Sequence, residues 1–174
     1  TFWPTAEVVA AANAALYEAP EAREADASLP GDTLNRLRRA AGVAMSYTEA
    51  RTSAIAELLG CEPGADELFQ VWLDARQVAS ENLLFPDASQ ALAEVRRRHP
   101  EAVVGAVTNG RGDPRQIPSL APYFDFCVSG EDADVHPQRK PAPRIYEAAL
   151  ERAHCGPDGW VHLGDDVLDD CRAA

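Results

Sequence analysis

The chain has 174 residues, 46% of them hydrophobic and 7% aromatic, which suits one domain carrying an insert. Its net charge of −12 argues against nucleic acid, whose phosphates demand a basic face, and no apolar run approaches the ~18 residues of a membrane-spanning helix. An anionic substrate would therefore have to be met by a local cation. Cys61, Cys127, Cys155 and Cys171 are scattered, without the paired spacing of a zinc site or a disulfide framework. Reduced thiols in the cytoplasm or an organelle stroma are expected, rather than secretion. The chain opens on Thr1 and shows no signal-peptide pattern.

In chain order, Thr5 to Glu18 carries apolar residues at Val8, Val9, Ala12, Ala15 and Leu16, a helical spacing. Pro20 to Pro30 is acidic and reads as irregular. Asp32 to Ala41, Tyr47 to Leu59 and Ala65 to Ala79 read as three further amphipathic helices, stopped at Gly42, Gly60 and Pro63-Gly64. Phe69 and Trp72 on the last of these suit a core position. Tyr17, Tyr47, Trp72 and Arg76 could equally contact a small molecule. After the Phe85-Pro86-Asp87 turn the pattern changes to a helix (Ala88 to Arg98), a strand (Ala102 to Val107), a short strand (Phe124 to Ser129), a helix (Arg144 to His154) and a strand at Trp160 to Leu163. Alternation of this kind predicts an α/β fold, a Rossmann-like parallel sheet with helices on its faces.

In such a sheet, ligands sit beyond the carboxyl ends of the strands. Three stretches fall there. Thr108-Asn109-Gly110 supplies a hydroxyl, an amide and a backbone N–H that can approach an anion, although Asn-Gly also suits an ordinary turn. Lys140 lies among prolines in Gln138-Arg139-Lys140-Pro141-Ala142-Pro143, which would aim one cation, or would simply form a helix-entry loop. Gly164 is followed by Asp165, Asp166, Asp169 and Asp170, four carboxylates within six positions. Such crowding suits a hard cation such as Mg²⁺, and suits a solvated helix start as well.

Together these motifs resemble those of the haloacid dehalogenase superfamily. Thr108, Lys140 and Gly164-Asp165 with Asp170 match three of the family's four motifs, in order, and the helical stretch before residue 85 resembles its helical cap. The resemblance implies a core start over residues 1–10, a cap over 11–84 and a Rossmann-like core over 85–174. Ala106-Val-Thr-Asn-Gly110, Tyr123-Phe-Asp-Phe126 and His162-Leu-Gly-Asp-Asp166 look like the branch of flavin mononucleotide hydrolases and riboflavin-pathway pyrimidine phosphatases.

The family nucleophile is the first Asp of an Asp-x-Asp-x-Thr motif, of which only Thr1 has a match here. The first and last strands of the family sheet are likewise unmatched, so the chain reads as a segment of a longer protein, inactive by itself. For the complete protein the resemblance implies attack of an aspartate on phosphorus and hydrolysis of the resulting aspartyl-phosphate. Mg²⁺ on Asp165 would act as Lewis acid, Lys140 would balance charge, and Thr108 with the Asn109 N–H would donate to phosphoryl oxygens, with Gly110 beside them. Asp170 is assigned to hold a metal-bound water or Lys140, Asp166 is the alternative for that task, and Asp169 is expected to face solvent. The implied substrate is a small phosphorylated metabolite. A module that binds phosphate and metal without catalysis, and a 2-haloacid dehalogenase needing no Mg²⁺, are the alternatives.

Overall fold

The computed structural model describes residues 2–24, 44–60 and 63–173. It divides into two compact units, Trp3–Leu84 and a second comprising Thr1–Phe2 with Phe85–Ala174.

In the helical unit, α1 (Thr5–Glu18), the short α2 (Pro20–Glu24), α3 (Tyr47–Leu59) and α4 (Ala65–Asn82) bury one face each. Ala12, Leu16, Ile55, Leu68 and Trp72 form its core, with Phe69 stacked on Trp72 at 6.2 Å between ring centroids. Burying α1 in this cluster carries the unit back to Trp3, ahead of the expected boundary at residue 11. Both ends of α3 are written in its sequence. Ser46 Oγ accepts from the Glu49 N–H and Glu49 Oε2 accepts from the Ser46 N–H, a reciprocal cap. At the other end Gly60 takes φ 68°, a left-handed conformation in which its N–H reaches the last carbonyls.

Two helices differ from expectation. Pro20–Glu24 is helical rather than irregular, since Pro is compatible with a first helical turn. Helix α4 runs on to Asn82, since nothing between Ala79 and Asn82 breaks it. The helix expected over Asp32 to Ala41 lies outside the described residues.

In the second unit, α5 (Ala88–Arg98) precedes β1 (Gly105–Thr108), β2 (Phe126–Ser129) and α6 (Pro143–Ala153). The strands pair in parallel with Gly105 opposite Phe126 and Thr108 opposite Ser129, the pairing expected of an α/β core. Phe126, Val128, Val135, Ile145 and Ala149 make the core on which α6 packs. A Cβ on Gly105 would sit 2.1 Å from the Phe126 ring, so only glycine admits that ring.

The ladder is shorter than the apolar run Ala102 to Val107, because side chains satisfy the preceding backbone. Asp125 Oδ2 accepts from the Val104 N–H at 2.7 Å, and Arg96 donates to the Ala102 and Tyr123 carbonyls and to Asp125. The strand expected at Trp160 to Leu163 does not form. Trp160 is extended, but no ladder pairs the segment among the described residues, and Val161 and Leu163 are 83% and 85% exposed. An apolar run becomes a strand only where another strand receives its N–H and C=O groups.

Candidate functional site

The parallel ladder ends at Thr108 and Ser129, and the loop beyond it is tied down from both strands. Ser129 Oγ donates to the Gly110 carbonyl at 2.9 Å, and the Gly130 N–H donates to the Thr108 carbonyl at 2.7 Å. Thr108 Oγ1 accepts a long bond from the Gly110 N–H.

Asn109 joins this strand end to two distant segments. Its Oδ1 accepts from the Lys140 N–H at 2.8 Å, while its Nδ2 donates to the Lys140 carbonyl at 3.3 Å and to Asp169 Oδ2 at 3.1 Å. The amide thus grips both backbone groups of the lysine. From that hold Lys140 Nζ reaches Asp170 Oδ1 at 2.7 Å.

Asp170 lies at the centre of the acidic loop and is only 7% exposed. Besides Lys140, its carboxylate faces His162 Nε2 at 3.1 Å and the Asp166 N–H at 3.1 Å. Burial would push this carboxyl up. The hydrogen bonds from Lys140, His162 and the Asp166 N–H, with the Lys140 charge, outweigh burial and hold it well below the usual carboxylate range. Gly164 makes the fold-back possible: a Cβ there would stand 2.2 Å from Asp170 Cγ.

The other acids take separate parts. Asp166 Oδ1 accepts from the Leu168 and Asp169 N–H groups, both at 2.8 Å, and so caps the π-helical turn Val167–Cys171. Asp165 is exposed. Asp169, expected to face solvent, has its side chain held by Asn109, and its carbonyl accepts from the Tyr146 hydroxyl.

His162 is fixed by aromatic rings as well as by Asp170. Trp160 stacks on it at 6.3 Å and Tyr146 meets it edge-on at 5.6 Å. Burial, then the charges of Asp170, Asp169 and Asp166, push the Tyr146 hydroxyl up to about 12, so it stays protonated as a donor. His162, Tyr146 and Ser129 escape sequence reasoning, and Asp169 is found in the network rather than in solvent. Only the alternation of Trp160 and His162 hinted at a shared face.

The structure thus brings Asn109, Lys140, Asp169 and Asp170 into one network, with Thr108 and Gly110 at the strand end beside it. Among the described residues no three His, Cys, Asp or Glu side chains gather as a metal chelate. Asp170 is buried on Lys140 and His162, whereas Asp165 and Asp166 stand at exposed positions that a cation can reach, Asp166 also capping its turn. Mg²⁺ keeps several waters and takes as few as one or two protein carboxylates, so this donor set fits a substrate-bridged ion and not a closed cage.

A parallel ladder with a clamped lysine and an acidic loop at its carboxyl end defines an α/β fold whose polar network lies where such folds bind their ligands. The chain belongs to the haloacid dehalogenase-like hydrolases, whose family profile matches residues 1–174. Among solved structures it is similar to the 2-haloacid dehalogenase from Pseudomonas syringae pv. Tomato DC3000. The two share 28% identity and a TM-score of 0.79 over 99% of this chain and 77% of that one. No curated protein matches the sequence.

Proposed function

We propose that this hydrolase cleaves phosphomonoesters of small metabolites, flavin mononucleotide or a riboflavin precursor among the candidates. The observation that carries the reading is the clamped lysine. Lys140 is gripped at its backbone by Asn109 and paired through Nζ with Asp170, so a cation is held at the carboxyl end of β1. The Thr108 hydroxyl and the Asn109 N–H at the same strand end are donors suited to phosphoryl oxygens.

In this reading Asp165 is the protein ligand of Mg²⁺, which when bound would neutralise phosphate charge as a Lewis acid. Lys140 offsets the charge of the attacking carboxylate and the phosphate, and Asp170 fixes where that ammonium stands. His162 supports Asp170 from behind.

Halide displacement from 2-haloacids is the second reading, favoured by the likeness to the Pseudomonas enzyme. One panel separates the two. Phosphate release from phosphomonoesters and chloride release from 2-chloropropionate are measured with Mg²⁺ or with chelator, on this chain and on a form extended upstream of Thr1. Mg²⁺-dependent phosphate release, lost in Asp165→Asn and Lys140→Ala, supports the phosphatase. Chloride release that survives chelation gives the dehalogenase. A folded protein that binds Mg²⁺ and releases neither product is a binding module.

A further inference from the structure

Two arginines of the helical unit stand outside the network around Lys140. The Arg51 guanidinium lies over the Trp72 ring, 3.7 Å from its centroid. Arg76 follows Trp72 by one turn of α4 and so shares its face, and it approaches the Trp3 ring at 5.9 Å. Both rings are buried, each at 6% exposure.

Among the described residues neither arginine pairs with a carboxylate. The side-chain hydrogen bond of Arg51 is a long one, 3.4 Å to Asn13 Oδ1, an atom that Trp72 Nε1 already holds at 2.8 Å. A turn beyond Arg76 on the same face, the hydroxyl of fully buried Ser80 has no hydrogen-bond partner among the described residues. Cations drawn out of water are normally matched by anions, and aromatic faces replace only part of the lost hydration. Two guanidiniums on one patch add mutual repulsion.

We propose that Arg51 and Arg76, on the floor made by Trp72 and Trp3, form an oxyanion-binding site within the helical unit. Its ligand is a carboxylate or phosphate group of a small molecule. Guanidinium forks suit this role because they present paired, planar donors to two oxygens at once. Burial, then the neighbouring Arg76 charge, push Arg51 down to about 10 against a smaller opposing effect of Tyr17. At neutral pH it therefore remains charged, and an arriving anion would meet the whole positive charge of the pair. The site is separate from the hydrolytic reading and does not rest on it.

The test is a titration of the whole chain, labelled for detection of arginine side-chain Nε–H resonances, with inorganic phosphate in one arm and malonate in another. Chloride at equal ionic strength is the baseline. Saturable shifts of the Arg51 and Arg76 resonances are expected in at least one arm, and the responding arm identifies the oxyanion class. Arg76→Gln should weaken that binding by about tenfold or more, the loss of one charge-assisted contact. Lys140→Gln should leave it intact while removing any phosphate response of the other unit. Shifts no larger than those with chloride, or equal affinity in Arg76→Gln, would overturn the proposal. If that variant does not fold, the wild-type resonances decide alone.

Discussion

Replacing Asp170 by asparagine tests whether charge pairing organises the acidic loop. The carboxylate accepts from Lys140 at 2.7 Å, His162 at 3.1 Å and the Asp166 N–H at 3.1 Å, with the Lys140 side chain only 13% exposed. The substituted amide would offer one oxygen to these donors and turn its own N–H₂ toward another. Breaking a fully buried pair costs about 3–5 kcal/mol, and the flexible stem of Lys140 can recover some hydration, so a loss of about 2–3 kcal/mol is expected. Because a global melt would mix the two units, the assay is hydrogen exchange of the β1–β2 ladder amides. Protection should fall by about 30- to 150-fold at pH 7, following 1.4 kcal/mol per factor of ten.

The pH dependence has a definite sign. The folded carboxyl lies below its unfolded value, so its contribution is fully present above about pH 4 and is lost as pH falls toward the folded value. The gap between wild type and variant should narrow below about pH 4. A gap under about 1 kcal/mol at pH 7, or one of equal size at pH 3 with both proteins folded, would refute the argument.

Three further outcomes follow from the same geometry. Asn109→Ala removes both holds on the Lys140 backbone and the contact to Asp169, and should cost about 1–3 kcal/mol, read as lost hydrogen-exchange protection of the β1–β2 ladder; on the proposed function, kcat of the upstream-extended form should fall by about tenfold to a hundredfold. Gly164→Ala places a methyl in the space of Asp170, so the loop must move. We expect about 1–3 kcal/mol of destabilisation and amide shifts concentrated in residues 162–171. Burial, then the Asp113 charge, push the Cys127 thiol up to about 12, whereas Cys171 is exposed, so limited iodoacetamide at pH 8 should label Cys171 well before Cys127, read by peptide mass.

What the sequence showed and what it hid divide along the distance between partners. The limits of α1, α3 and α5 were readable because a helix closes its hydrogen bonds within four residues and Ser46, Glu49 and Gly60 carry the stops of α3 themselves. The order Thr108, Lys140, Gly164-Asp165 was visible as motif spacing. The apolar residues of Trp160 to Leu163 predict a strand but say nothing of a partner, and strand identity depends on one. Asp169 looked exposed for the same reason. Its place is set by Asn109, sixty positions earlier, and by Tyr146 on α6, neither of which leaves a local mark. Ser129 and His162 likewise acquire their contacts only after the chain has folded.

The Asn109 carboxamide makes three stretches of chain mutually dependent for a reason of counting. Its one oxygen and two hydrogens meet the Lys140 N–H, the Lys140 carbonyl and Asp169, leaving little capacity to compensate when one of them moves. The end of β1, the lysine loop and the acidic turn therefore vary as a set. A graft that carries the acidic turn onto another scaffold would have to bring the asparagine and the lysine loop with it. A one-residue insertion between Thr108 and Gly110 would detach all three together, although it adds nothing to the loops that hold Lys140 and Asp169.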